Sequence, residues 1–264
     1  MNKVIRAEFG RTINAGLIIA IAGIIFSICF DSFNDLIAGL RNGQGYVGYF
    51  FSNAAFGGMC THYMLPVFTA LPFSVSLCQE RNNKAVSYIV SREGKNRYIF
   101  AKFIVSAISG GFVAACGTVL LFLMLAMRFP IAGDEFEGAV VSDYFHEWSA
   151  VYYPQLYILT LSILAFCRGV IWSSLALCVS LYTSDFMVVL LSPFLGSYVL
   201  VRIFQIISVH DMVRPAMIHI GQVVIISSGL TLIIAIAISL TIVTLIGAFF
   251  VGKMKEGLKS GTIY

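Results

Sequence analysis

Residues 223–251 read VVIISSGLTLIIAIAISLTIVTLIGAFFV, 29 positions without one charged side chain. A helix of about 20 apolar residues crosses the hydrocarbon core of a bilayer, so this stretch can span it with residues to spare. A soluble helix of that length would carry a polar stripe for water, and none is present. The composition agrees. Of the 264 residues, 59% are hydrophobic and 11% are charged, against roughly 45–50% and 25% in soluble domains.

Working outward from this stretch, five further segments meet the same criterion: 15–33, 55–78, 103–127, 156–182 and 186–207. The expected fold is therefore all-α, a polytopic membrane protein with six transmembrane helices in a single domain, 1–264. Only Thr183-Ser184-Asp185 joins the fourth and fifth segments, which makes them an antiparallel hairpin. Residues 1–30 have the basic start and apolar centre of a secretory signal, but Phe30-Asp31-Ser32-Phe33 offers no small-residue cleavage site. Bulky Ile28 before Cys29 likewise fails as a lipoprotein signal. The segment is read as a retained first span.

Lys and Arg give the bundle a direction. Lys3, Arg6 and Arg11 precede the first span. Arg81, Lys84, Arg92, Lys95, Arg97 and Lys102 lie between the second and third, and Lys253, Lys255 and Lys259 follow the sixth. Twelve of the seventeen basic residues thus fall on one side. The positive-inside rule makes that side cytoplasmic, with both termini in. Arg41, Arg128 and Arg214 are on the other side, with Arg202 near its boundary. The net charge of +4 reports this orientation and is not a nucleic-acid footprint.

Two cytoplasmic segments carry a pattern. In residues 1–13, Ile5, Phe9 and Ile13 make one apolar stripe, with Lys3 and Arg11 on the other side. This suits a short helix lying in the membrane interface, or else a ragged extension of the first span. Residues 79–102 read QERNNKAVSYIVSREGKNRYIFAK. Asn82 or Asn83 suits an N-cap, Val86, Ile89 and Val90 form an apolar face, and Gly94 suits a C-terminal stop. The segment is either a short amphipathic helix or a basic loop.

The loop 128–155 is acidic, with Asp134, Glu135, Glu137, Asp143 and Glu147, and closes on Trp148, Tyr152, Tyr153 and Tyr157. Asp143, His146 and Glu147 are either a weak metal set or part of a solvated loop, and no further ligand spacing supports a metal. The six cysteines form no C-x-x-C pair and read as small hydrophobes. No G-x-x-x-x-G-K-[ST], G-x-S-x-G or H-E-x-x-H occurs, so no enzyme activity, bound nucleotide or metal is expected of this chain. Within the spans, Arg168 stands near the middle of the fourth. A central arginine is costly in lipid and should face protein or water. It meets either an anionic group of a substrate or partner, or carbonyls and hydroxyls of the bundle. His62, Pro66 and Pro72 mark the second span, and Pro193 and Gly196 the fifth.

The stretch from Leu71-Pro72-Phe73 to Glu80-Arg81, followed by Ser91-Arg92-Glu93-Gly94-Lys95-Asn96-Arg97-Tyr98 and Lys102, resembles the permease subunits of ABC-2-type, exporter-like transporters. The likeness extends to an N-terminal elbow helix and six spans, and among such permeases to small ones used in bacteriocin immunity and peptide export. The resemblance implies a separate ATP-binding subunit holding ATP and magnesium, and a second permease subunit, identical or not. It implies that the ATPase docks on a coupling helix made of Glu80, Arg81, Lys84, Val86, Ile89, Val90, Arg92, Glu93, Lys95, Arg97 and Tyr98, the apolar face entering a groove on the ATPase. It also implies that the second and fifth spans line the pathway, making Tyr63, Phe68, Phe194 and Tyr198 lining candidates beside Arg168. A peptide or hydrophobic cargo and the bacterial cytoplasmic membrane follow from the same likeness. A secondary transporter or channel working without ATP is the alternative.

Overall fold

The computed structural model describes residues 2–42, 47, 50, 58–131, 153–207 and 227–260. Every element among them is helical: α1 Asn2–Thr12, α2 Ala15–Asp31, α3 Phe33–Asn42, α4 Met59–Ala70, α5 Ser76–Asn82, α6 Val86–Glu93, α7 Lys95–Ala126, α8 Pro154–Val179, α9 Phe186–Ile206 and α10 Ser228–Ser260. Four helices, α7 to α10, are long and apolar enough by themselves to cross a membrane. A fifth candidate is α2 taken with α1, the two meeting at a 56° bend. At 1.5 Å per residue, the 17 residues of α2 reach about 26 Å.

The helix anticipated at the N-terminus is present as α1, set off from α2 by Asn14. The Asn14 side-chain oxygen accepts the Leu17 amide and caps α2. The stretch expected as one second span is broken. Pro72 has no amide to donate, and residues 71–75 tighten into turns, with the Leu71 amide on the Phe68 carbonyl and the Ser76 amide on that of Phe73. The chain therefore arrives as α4 and then, after the break, as α5. The basic segment 79–102 is also more ordered than a loop. It is the end of α5, all of α6 and the first two turns of α7, which starts at Lys95, eight residues before the apolar run.

Neither Asn82 nor Asn83 caps α6. Asn82 is the last residue of α5 and Asn83 its C-cap. The Ala85 amide reaches the Glu80 carbonyl at 2.8 Å and the Lys84 amide that of Arg81 at 3.0 Å, the paired bonds of a Schellman ending. This places Lys84 at φ 53°, left-handed. Gly94, the anticipated stop, is at φ 85° between α6 and α7. The short hairpin between α8 and α9 is as expected, and the Asp185 side chain takes the Met187 amide at 2.8 Å.

The bundle is organised around α7 and α8, its most extensive helix pair. Small residues let their backbones meet. A Cβ on Gly110 would come within 2.3 Å of the Ser173 Cβ, and one on Gly169 within 2.5 Å of the Gly110 carbonyl oxygen. The Ser74 hydroxyl bonds the Ser106 hydroxyl at 3.0 Å and the Ser173 carbonyl at 2.9 Å, tying the turn before α5 to both helices. One apolar core joins Ile24 and Ile28 of α2, Val113 and Leu121 of α7, Leu164 of α8 and Ala235 of α10. A second joins Leu77, Val86, Ile99, Leu177, Phe250 and Met254. The outer faces of α9 and α10 carry bare Leu195, Val199, Ile233 and Leu245. Apolar surface on that scale is unfavourable in water and at rest in lipid.

Candidate functional site

The basic segments of the sequence gather at one end of the bundle. There α1 meets the start of α7 through the Glu8–Lys102 pair, Arg81 reaches the turn after α8, and the Lys95 ammonium donates to the Lys255 carbonyl of α10 at 3.1 Å. The centre of this end is a knot of charge. Lys102 is fully buried, yet its ammonium donates to Glu8 at 3.0 Å, to Glu80 at 2.7 Å and to the Ser76 hydroxyl at 3.2 Å. Arg11 donates to the same two carboxylates, at 3.1 Å to Glu8 and 2.7 Å to Glu80. The Tyr98 hydroxyl donates to the second Glu80 oxygen at 2.5 Å. The Lys102 ammonium also sits 4.7 Å from the centre of the Phe73 ring. Two acids and two bases balance, which is what lets such groups leave water.

This geometry divides the anticipated docking residues. Glu80, Val86 and Tyr98 face into the chain: Glu80 and Tyr98 belong to the knot, and Val86 belongs to the second core. Ile89 and Val90 pack against that same core. The apolar face expected to enter a partner's groove thus packs, within this chain, against the second core. Arg81 donates to the carbonyls of Ser180, Leu181 and Thr183 and pins the α8–α9 turn. Lys95 is partly covered, and so is Glu93, one of whose carboxylate oxygens is buried with no hydrogen-bond partner. Lys84, Arg92 and Arg97 are exposed, and Tyr88, which the sequence did not single out, is 69% exposed beside them. The free side of α6 is therefore polar and basic around one tyrosine.

The anticipated pathway residues divide as well. Tyr63 on α4 packs against Phe194 and Tyr198 of α9, with ring centres 5.9 and 6.1 Å apart, and against His62 at 4.9 Å. Arg202 lies over the Tyr198 ring and donates to its hydroxyl. Phe68 is elsewhere. Its ring abuts Gly23 of α2, where a Cβ would approach to 2.3 Å, so it is part of the α2–α4 contact. Arg168 takes the carbonyl option, its guanidinium donating to the Thr61 carbonyl at 3.1 Å. The Arg168 Nε and the Thr61 hydroxyl are buried without partners. Asp31 accepts the Cys60 and Thr61 amides at 3.0 and 2.6 Å. The backbone of Thr61 on α4 thus stands between an acid from α2, which takes its amide, and a base from α8, which donates to its carbonyl.

Sequence reasoning overlooked Glu8, Asp31 and the partners of Lys102. A signal existed for Glu8, the only acid before Asp31 in a basic N-terminal helix. Among the described residues no group of His, Cys, Asp or Glu could hold a metal ion. Asp143, His146 and Glu147 lie outside those residues, as does most of the outer loop. Neither a protein-family model, nor a curated protein, nor a solved structure matches this chain.

Proposed function

We propose that this chain is a membrane-spanning permease subunit of an ATP-driven ABC-2-type transporter, exporting a peptide or other hydrophobic substrate across a bacterial cytoplasmic membrane. In this reading α2, the broken α4–α5 pair and α7 to α10 make six spans, and both termini are cytoplasmic. The observation that carries it is α6. It is a short helix at the end of the bundle where the basic segments converge, seated by Val86 on the core and bare on its outer side. A soluble ATP-binding subunit, holding ATP and magnesium, docks there on Lys84, Tyr88, Arg92 and Arg97.

The seating gives the docking a mechanical output. A push on α6 reaches α7, α8 and α10 through Val86, and α1 by way of α5, whose Glu80 sits in the knot. A second permease subunit completes the pathway, to which Tyr63, Phe194, Tyr198 and Arg168 contribute. The test is co-expression and co-purification with a candidate ATP-binding subunit. A Tyr88→Asp/Arg92→Glu variant, altered only on the exposed side, should lose the ATPase while its own unfolding midpoint stays put. An undiminished complex would sink the docking assignment. Uptake or efflux driven by an ion gradient in vesicles without ATP would replace the whole reading with that of a secondary transporter.

A further inference from the structure

A cleft of about 560 Å³ opens where α1 bends into α2, walled by the turn 71–75, α5 and α6. Its lining is two-sided. Arg11, Gln79, Asn83 and Glu80, whose carboxylate is already held by Arg11, Lys102 and Tyr98, give it polar groups, while Leu71, Ile89 and Phe186 are apolar. Arg11 is placed to do more than hold the knot. In both of its ion pairs the guanidinium spends only Nη1, and its side chain is still 52% exposed. The other edge of the fork is left open, and an arginine fork suits the paired oxygens of a phosphate. Gln79 and Asn83 are exposed and stand one turn apart on α5, offering amide donors and acceptors beyond that edge. Asn14, also in the lining, is committed to the Leu17 amide and the Arg11 carbonyl.

Apolar surface lies beside the polar pocket. Ile13 is 78% exposed, Ile18 71% and Ile19 55%, all within about one turn of the bend. Phe186 and Met187, at the start of α9, are exposed to 38% and 62%. An occupant must therefore carry oxyanion chemistry at one end and hydrocarbon at the other. A cytosolic metabolite satisfies only the first condition, and an apolar ligand only the second.

We propose that this cleft holds the headgroup of a phospholipid, its phosphate on the open edge of Arg11, its polar head against Gln79 and Asn83, and its acyl chains along Ile13, Ile18 and Ile19. The proposal requires that the chain lie in a bilayer and is independent of the transport reading. It makes the bend between α1 and α2 a lipid-bound joint.

The test is native mass spectrometry of the full chain in a neutral detergent, titrated with palmitoyl-oleoyl phosphatidylglycerol. Wild type should take up one lipid more tightly than the rest. Arg11→Gln should weaken that one by about tenfold or more, the scale of a lost charge-assisted hydrogen bond. Because Arg11 also serves the knot, Ala85→Trp, which fills the cleft without touching a charge, provides a second variant and should abolish the tight event. Diacylglycerol with the same chains should not compete, and neither should sodium phosphate. Unchanged tight binding in both variants, or equal competition by diacylglycerol or by free phosphate, would overturn the assignment.

Discussion

Replacing Lys102 with Met removes a fully buried cation from the charged end while keeping a side chain of similar length. The ammonium makes three hydrogen bonds, two of them to carboxylates. Without it Glu8 and Glu80 share the single guanidinium of Arg11, and the knot passes from neutral to a net charge of about −1. Breaking a buried ion pair from one side costs about 3–5 kcal/mol, because the abandoned charge stays buried. That is a large part of the 5–15 kcal/mol roughly available to a folded chain.

The same logic predicts a rescue. Glu8→Gln in the Lys102→Met background removes the surplus charge and leaves Arg11, Glu80 and Tyr98 as a smaller balanced set. It should recover about 1–3 kcal/mol, although Glu8→Gln alone is destabilising. Equilibrium unfolding of the four proteins in mixed detergent micelles measures the cycle. A Lys102→Met loss below about 1 kcal/mol, or a double variant showing the sum of the two losses, would refute the account of the knot as a charge-balanced unit.

Three further outcomes follow from local geometry. Asp31→Ala strips the acceptor from the Cys60 and Thr61 amides and should cost about 1–2 kcal/mol, with faster hydrogen exchange at those two amides. Gly110→Val drives side-chain carbon into Ser173 and the Gly169 carbonyl, which α7 and α8 can relieve only by separating. A loss of about 1–3 kcal/mol or more should show in the unfolding midpoint. Lys84→Gly relieves a left-handed non-glycine residue at the end of α5 and should stabilise by about 0.5–1 kcal/mol, read by the same denaturation.

What the sequence disclosed, it disclosed through local signals. The uncharged runs marked α2, α8 and α9 to within a few residues, while α7 and α10 run eight and nine residues past their runs into charged sequence, and the short polar stretch Thr183-Ser184-Asp185 marked the hairpin. The apolar stripe Val86, Ile89, Val90 was legible as a stripe, but its destination was not. Periodicity says that a face is covered, not by what, and here Val86 shares a core with Leu77, Ile99 and Met254 of the same chain. Pro72 was legible as a bend, yet the extent of the break over 71–75 depends on which carbonyls the following amides find. The knot was out of reach because Glu8 and Lys102 are 94 positions apart. Read singly, Lys102 looked like a boundary marker and Glu80 like a docking contact.

That separation has a consequence for how the protein is made. When α1 and α2 leave the ribosome, Glu8 has only Arg11 beside it, and the residue that neutralises it is about a hundred codons away. The N-terminal helix therefore folds unfastened at first, and α1 can lock into the knot only once the start of α7 has been synthesised. The knot is a late stitch in assembly, and a chain stalled before Lys102 would carry α1 without the buried partner that holds it.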